Sequence, residues 1–239
     1  MTADLTILLI TAASIGFMHT LTGPDHYLPF IVMGKARNWK TAKTLGITFL
    51  CGLGHVGSSI LIGAIGIILG LGVKKLVIFE SFRGNIAAWA FIAFGFIYFI
   101  WGLWKARKDN PHNHLHIHHN GSIHVHEHHH SPVLTHNHEH PQPKPVNLTP
   151  WILFTIFVLG PCEPLIPLLM YPAAEIHTGA IAMVAGVFSA ITIVTMMGIV
   201  ILTLQGINFL PMKAFEKYMH AIAGAAICLS GLAIVFLGL

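Results

Sequence analysis

The chain of 239 residues contains 54% hydrophobic residues and only 9% charged residues. Since soluble domains carry about a quarter of charged residues, this composition excludes an ordinary soluble domain. The net charge is only +4. We expect an integral membrane protein that is embedded in the lipid bilayer and has no nucleic-acid partner.

Several apolar stretches are long enough to cross a bilayer, which takes a helix of about 20 residues. Lipid-exposed backbone must bond to itself, so these spans are predicted to be helices. The expected fold is all-α, a polytopic membrane protein with six transmembrane helices at 5–33, 45–71, 86–104, 150–172, 179–204 and 219–238. The first stretch lacks a basic segment and a cleavage site, so we expect a retained span. In the second span, Gly66 and Gly70 form a GxxxG pair that favours close helix packing.

The distribution of lysine and arginine predicts the orientation, because cytoplasmic loops carry most of these residues. One side would hold only Lys74, Lys75 and Arg83. The other side would hold the ten residues of the first, central and fifth loops, namely Lys35, Arg37, Lys40, Lys43, Lys105, Arg107, Lys108, Lys144, Lys213 and Lys217. We therefore expect a multi-pass protein of the inner cell membrane, with both termini outside and the central loop in the cytoplasm.

A segment rich in histidine and proline, 109–149, divides the chain into a first half, 1–108, and a second half, 150–239. The first span of each half is interrupted, and "GPDHYLPFIV" at 23–32 resembles "GPCEPLIPLL" at 160–169. Three spans per half would send the second half through the membrane in the opposite direction. We therefore expect two inverted three-helix repeats with broken first helices, a known transporter architecture. Two unrelated proline kinks are the alternative.

Polar side chains gather at the two interruptions and in the second span. Ionisable groups inside a membrane are costly and usually face a pathway or a partner. The nitrogen, oxygen and sulfur donors together suit a divalent transition metal and do not suit Mg²⁺ or Na⁺. The candidate metal ligands are His19, Asp25, His26, His55, Cys162 and Glu163. Other interpretations remain open: His55 as a hydrogen bond between helices, Cys162 as a small apolar residue, and Asp25 as a partner that orients a histidine.

The segments "HTLTGPDH", "GLGHVGSS" and "LGPCEP" resemble the signature segments of the nickel/cobalt transporter superfamily. The nearest branch is the NicO and UreH-like membrane proteins, which include urease accessory and sulfite exporter-like members. The resemblance covers all six spans, and the histidine-rich insert is similar to that of the efflux members. It implies that His19, Asp25, His26 and His55 belong to the metal path, with Cys162 and Glu163 facing them.

This resemblance implies a transporter and not an enzyme. Nickel or cobalt, with zinc as a further option, would be the substrate, and export is favoured over uptake. Cytoplasmic metallochaperones or urease maturation proteins are implied as partners, and a homo-oligomer is left open. In the uptake permeases four residues separate the first histidine from the Asp-His pair. Here five residues separate His19 from Asp25, so the site geometry of those permeases does not transfer.

The central segment carries 13 of the 18 histidines, namely His112, His114, His116, His118, His119, His124, His126, His128, His129, His130, His136, His138 and His140. Histidines alternate with other residues on both sides of Asn120-Gly121, a dipeptide typical of hairpin turns. This pattern predicts a hairpin that pairs His118 with His124, His116 with His126 and His114 with His128. A disordered metal-binding tract is the alternative. Either form would act as an accessory metal buffer at the cytoplasmic mouth.

Two other functions fit part of the pattern. "GPCEPLIP" is also similar to the Pro-Cys segment of the membrane thiol/electron carriers of the CcdA and DsbD type, which need a second cysteine where this chain has Asp25. An anion exporter for sulfite-like substrates is the third interpretation, since helix N-termini can hold anions. The acidic side chains of Asp25 and Glu163 at those termini argue against an anion.

Overall fold

The computed structural model of the protein describes residues 3–108, 112–117, 123–128, 148–174, 178–207 and 212–238. Outside two short strands, the described chain is helical. The eight α-helices are α1 (Ala3–Thr22), α2 (Leu28–Ala36), α3 (Thr41–Ile68), α4 (Val73–Lys108), α5 (Thr149–Leu159), α6 (Leu165–Ala174), α7 (Thr178–Ile207) and α8 (Met219–Leu237). Short 3-10 helices cover Pro24–His26 and Met212–Tyr218.

Five helices are long and apolar enough to cross a membrane: α1, α3, α4, α7, and α8 together with the end of its preceding 3-10 helix. Many large apolar side chains on these helices face outward. Ile68 is 82% exposed and Leu202 is 71% exposed. An outer surface of this kind is compatible with lipid as the surrounding solvent. The five apolar helices and this surface are compatible with a multi-pass membrane protein.

Both predicted interruptions are confirmed. α1 ends at Thr22, Gly23 is extended, and a 3-10 turn that begins with Pro24 leads into α2. α5 ends at Leu159, Gly160 is extended, and α6 begins at Leu165. A proline follows each glycine and cannot donate the backbone hydrogen bond that would continue the preceding helix.

The helix boundaries around the two interruptions recur at a constant distance along the chain. α1 and α5 end at residues 22 and 159, which differ by 137. α2 and α6 begin at residues 28 and 165, and α3 and α7 begin at residues 41 and 178, again 137 apart. The same separation relates the two Gly-Pro dipeptides at 23–24 and 160–161.

The prediction for the third span was too short. α4 covers Val73–Lys108 instead of 86–104. Arg83 therefore lies inside this helix, where it is buried and paired with Glu80, and it is not a loop residue as predicted. The polar residues near 80 lower the local hydropathy, but their i, i+3 pairing satisfies the charges and lets the helix continue.

Glycines allow α4 and α8 to approach each other to backbone contact. A Cβ atom at Gly95 would overlap the backbone nitrogen of Cys228, and one at Gly224 would overlap that of Phe99. The predicted glycine pair in α3 behaves differently. Gly66 does pack closely, against the side chain of Leu76, but Gly70 follows the end of α3 with a φ of +65° and open space around it. Gly70 is thus a turn residue and not part of a packing interface.

The two strands, β1 (His112–Ile117) and β2 (Ile123–His128), pair in antiparallel fashion. The register differs by two residues from the predicted one. It pairs His116 with His124, His114 with His126 and His112 with His128. In this register Ile117 is opposite Ile123 and Leu115 is opposite Val125, whereas the predicted register would have set Leu115 opposite Glu127.

We predict that Gly95→Ala lowers the free energy of unfolding by about 1–3 kcal/mol, because the added methyl group meets backbone atoms of α8 that cannot rotate away. Thermal unfolding of the purified protein in detergent measures the effect. The matched control is Gly57→Ala, where the structure has open space around the Cβ position. An equal loss of stability in both variants would contradict the close contact at Gly95.

Candidate metal centre

Three donor side chains from separate parts of the chain converge inside the helix bundle. His19 lies near the end of α1, His55 in the middle of α3, and Cys162 in the second interruption. One ligand atom from each lies within 4.8 Å of the others. The Cys162 Sγ is 3.9 Å from the His19 Nε2. His55 and Cys162 are buried and His19 is half-buried, so this group of donors lies largely within the protein.

His26 from the first interruption adds a third imidazole. Its Nε2 lies 3.3 Å from the Nε2 of His55. Its Nδ1 lies 3.1 Å from the carbonyl oxygen of Gly23 and 3.2 Å from Oδ1 of Asp25. The carbonyl of Gly23 can only accept a hydrogen bond, so Nδ1 carries the proton. The other ring nitrogen, Nε2, then lies toward His55.

The three imidazole rings are arranged around His26. Its ring is nearly perpendicular to those of His19 and His55, with centroids 4.6 and 4.9 Å away. The rings of His19 and His55 are nearly parallel, with centroids 6.2 Å apart. Phe157 and Phe188 lie beside this group. The donors therefore share a confined space with apolar walls, where a bound cation would exchange water for nitrogen and sulfur.

The two predicted carboxylate ligands occupy different positions. Asp25 contacts the ring of His26 and retains 19% side-chain exposure. This contact is the one that the orienting interpretation of Asp25 anticipates. Glu163 is exposed, in a turn of the second interruption. It does not belong to the group of closely spaced donors formed by His19, His55 and Cys162.

Three residues that the sequence did not single out lie directly behind Cys162. Oε2 of Glu80 accepts hydrogen bonds from the backbone nitrogen of Cys162 at 3.1 Å and from the hydroxyl of Ser59 at 3.1 Å. Arg83 pairs with the same carboxylate oxygen at 2.7 Å. It also donates to the carbonyl oxygen of Gly160 at 3.0 Å. The backbone groups on both sides of Pro161 are thus bonded by side chains of α4.

A signal for these residues is present in the sequence. Glu80 and Arg83 lie three positions apart within a mostly apolar stretch, "VIFESFRGNIAAWAF". Charges inside a membrane helix are expected to pair. An i, i+3 acid–base pair next to an apolar run could therefore have been assigned to the helix instead of the loop.

The other histidines fall in different places. His112, His114, His116, His124, His126 and His128 belong to the two strands, while His118, His119, His129, His130, His136, His138 and His140 lie outside the described residues. In α8, His220 bonds to the hydroxyl of Tyr98 at 2.8 Å and to Nζ of Lys105 at 3.1 Å. It therefore serves contacts between α4 and α8. Cys51 and Met196 pack in the core.

Comparison of the chain with protein-family models, with curated proteins and with solved structures gives no match. The functional argument therefore rests on the geometry of the donor group and on the chemistry of its side chains.

We predict that Glu80→Ala lowers the free energy of unfolding by about 3–5 kcal/mol, because it leaves the Arg83 guanidinium buried without its carboxylate. Replacing both partners, in Glu80→Leu/Arg83→Met, should restore part of the lost stability, since it removes the unpaired charge but leaves the N–H of Cys162 and the carbonyl of Gly160 without their side-chain partners. Unfolding in detergent measures both variants. Glu216→Ala, at an exposed position, is the control and should change stability by less than about 0.5 kcal/mol. A Glu80→Ala variant as stable as this control would contradict the buried pair.

Proposed function

We propose that the protein transports divalent transition-metal ions, nickel or cobalt first, across a membrane. The observation that carries this proposal is the group formed by His19, His55 and Cys162, whose donor atoms lie within 4.8 Å of one another. Imidazole nitrogen and sulfur suit nickel, cobalt and zinc, whereas magnesium and calcium need oxygen donors. A cluster of this kind inside apolar helices is costly unless it faces a pathway or a ligand.

The arrangement of His26 supports a binding role. The proton on Nδ1 is held by Gly23 and Asp25, and this directs the other nitrogen toward His55. Metal-binding histidines commonly donate their second N–H to a carbonyl or carboxylate in this way. Asp25 then acts on the metal through His26, and the ion itself is the cargo of the transporter.

Matching helix boundaries in the two halves, as expected for an inverted repeat, support the transport proposal. Helix boundaries recur 137 residues apart in the two halves. Contacts recur as well, because α1 packs on α7, and the corresponding helices α5 and α3 pack on each other. Thr192 lies 137 residues after His55, at the matching position of the second half. It is fully buried, and its hydroxyl has no hydrogen-bond partner among the described residues.

Broken helices that meet between repeats are a recurrent transporter design.

Aromatic and basic side chains at one end of the bundle support the orientation with both termini outside. Cations lie over aromatic rings in five pairs there: Arg37 with Tyr98, Lys43 with Trp39, Lys105 with Trp101, Lys108 with Trp104 and Lys217 with Tyr218. These residues belong to the connection between α2 and α3, to the start of α3, to the last part of α4 and to the 3-10 helix before α8. Aromatic residues at the interface and lysines on the cytoplasmic side are typical of this arrangement.

The two alternative functions have less support. Cys162 faces His19, and the three cysteines Cys51, Cys162 and Cys228 are all free thiols. A thiol/electron carrier needs a second cysteine opposite the first, and Asp25 takes that position in the repeat. Arg83 is the residue that would favour an anion exporter, but Glu80 already neutralises its charge.

The direction of transport that we favour is export. The histidine-rich segment between the halves would collect ions on the cytoplasmic side and raise their local concentration at the mouth of the path. Metallochaperones or urease maturation proteins would be suitable cytoplasmic partners for the same segment.

We predict that His19→Ala, Asp25→Ala, His26→Ala and His55→Ala each lower radioactive nickel or cobalt flux at least about tenfold, because each removes a ligand or its orienting partner. Flux into vesicles and metal resistance of cells measure the effect at matched expression. His220→Gln, outside the donor group, should keep the wild-type flux. Full transport by three of the four alanine variants would show that the site is elsewhere.

We predict that deletion of 112–140 reduces transport without abolishing it and removes most of the pH-sensitive metal binding. Free imidazole has a pKa of about 6.5, so protons displace metal from the loop as pH falls from about 7 to 5.5. Calorimetry at both pH values on the full chain and the deleted chain measures the two fractions. A folded, loop-deleted protein that binds no metal would eliminate the membrane site.

A further inference from the structure

We propose that Glu80 and Arg83 are positioning residues that hold Cys162 as the sulfur ligand of the metal centre and so determine its preference for thiolate-binding metals. The proposal rests on the proposed transport of metal ions. Neither side chain needs to touch the ion. Each acts through the backbone of the second interruption.

The backbone around Pro161 is held from two directions. The carbonyl oxygen of Gly160 accepts from Nη2 of Arg83, and the N–H of Cys162 donates to Oε2 of Glu80. Both backbone groups lie in the interruption between α5 and α6, so neither has a hydrogen-bond partner within a helix. In a membrane each of them would cost several kcal/mol if left unbonded. The ion pair of α4 thus fixes both sides of this proline.

A steric contact holds the same proline against α4. Gly84 follows Arg83, and a Cβ atom at Gly84 would lie 2.5 Å from Cγ of Pro161. Only glycine permits this approach without moving the interruption. The charged contact and the steric contact therefore act on one three-residue segment, 160–162, from adjacent positions on α4.

The direction of the Cys162 side chain depends on this attachment. Its backbone N–H is tied to Glu80, while its Sγ lies 3.9 Å from Nε2 of His19. His19 and His55 lie within α1 and α3, and each helix continues past its histidine. The helical backbone therefore fixes these two residues without a hydrogen bond from another helix. Sulfur is thus the donor whose position is adjustable, and the ion pair of α4 determines it.

Ser59 completes the network from α3. Its hydroxyl donates to Glu80 at 3.1 Å and lies 2.5 Å from Nη2 of Arg83. It lies one turn beyond His55 on the same helix. α3 therefore carries His55, a ligand of the proposed centre, and also Ser59, which contacts the two residues that position Cys162. This connects the histidine ligand to the cysteine ligand.

The experiment titrates full-length protein in detergent with Co²⁺ and records the sulfur-to-cobalt charge-transfer band together with the affinity. Four proteins are compared: the wild type, Cys162→Ser, Glu80→Leu/Arg83→Met, and the combination of all three substitutions. The apolar double variant removes both charges at once, so no buried charge is left unpaired. Gly84→Ala perturbs the same segment without changing charge, with Gly57→Ala as its control.

We expect Co²⁺ to give the band in the wild type and to bind Cys162→Ser through imidazoles without it. Glu80→Leu/Arg83→Met should lose the band and about tenfold to a hundredfold in affinity, as Cys162→Ser does. The combined variant should be no weaker than Cys162→Ser, because both changes remove the same ligand. Gly84→Ala should weaken the band, and Gly57→Ala should keep it.

A wild-type band that survives in a folded Glu80→Leu/Arg83→Met protein would overturn the positioning role, and so would a further loss of affinity in the combined variant. If the double variant does not fold, an unchanged band in Gly84→Ala overturns it. Co²⁺ binding without a wild-type band would remove Cys162 as a ligand and end this inference while leaving metal transport in place. A wild-type protein that binds no Co²⁺ would instead overturn the proposed function.

Discussion

A helix that stops inside a membrane leaves backbone N–H and C=O groups without partners, and lipid supplies none. The two interruptions of this protein satisfy that constraint differently. At the first, a local turn bonds the chain to itself: the N–H of Gly23 donates to His19, and that of His26 donates to Gly23. At the second, the flanking groups of Pro161 are bonded by the Glu80–Arg83 pair. One interruption is self-contained, and the other depends on a different helix.

This difference divides the donors by chemical type. The self-contained turn fixes His26 and Asp25 close to His19 and supplies nitrogen. The externally bonded interruption supplies the sulfur of Cys162. Two segments with similar Gly-Pro sequences thus contribute unlike donors to the proposed centre. In that proposal, the asymmetric set of nitrogen and sulfur donors would suit a borderline metal, whereas an oxygen-rich set would favour magnesium.

The two interruptions could be predicted from the sequence, because a Gly-Pro dipeptide ends a helix through its own backbone. The convergence of His19, His55 and Cys162 could be predicted as well, because polar groups inside a membrane usually face a partner or a pathway. Hydropathy could not place Glu80 and Arg83 inside a membrane helix, because their charges lower the mean hydropathy of the segment even though they pair with each other. The exposure of Glu163 could not be foreseen either. It depends on how the turn before α6 is rotated, and packing of the whole bundle sets that rotation. The alternation of histidines could not determine the hairpin register, because it fits the register that pairs His116 with His124 as well as the predicted one.

The contact between α4 and α8 limits how the bundle can change shape. At Gly95 and Gly224 the two backbones touch with no side chain between them. Rotamer changes therefore cannot relax this seam, and α4 and α8 behave as one unit. Any rearrangement that opened the proposed centre would leave this pair intact and carry along the segment 160–162, which Glu80 and Arg83 bond to α4.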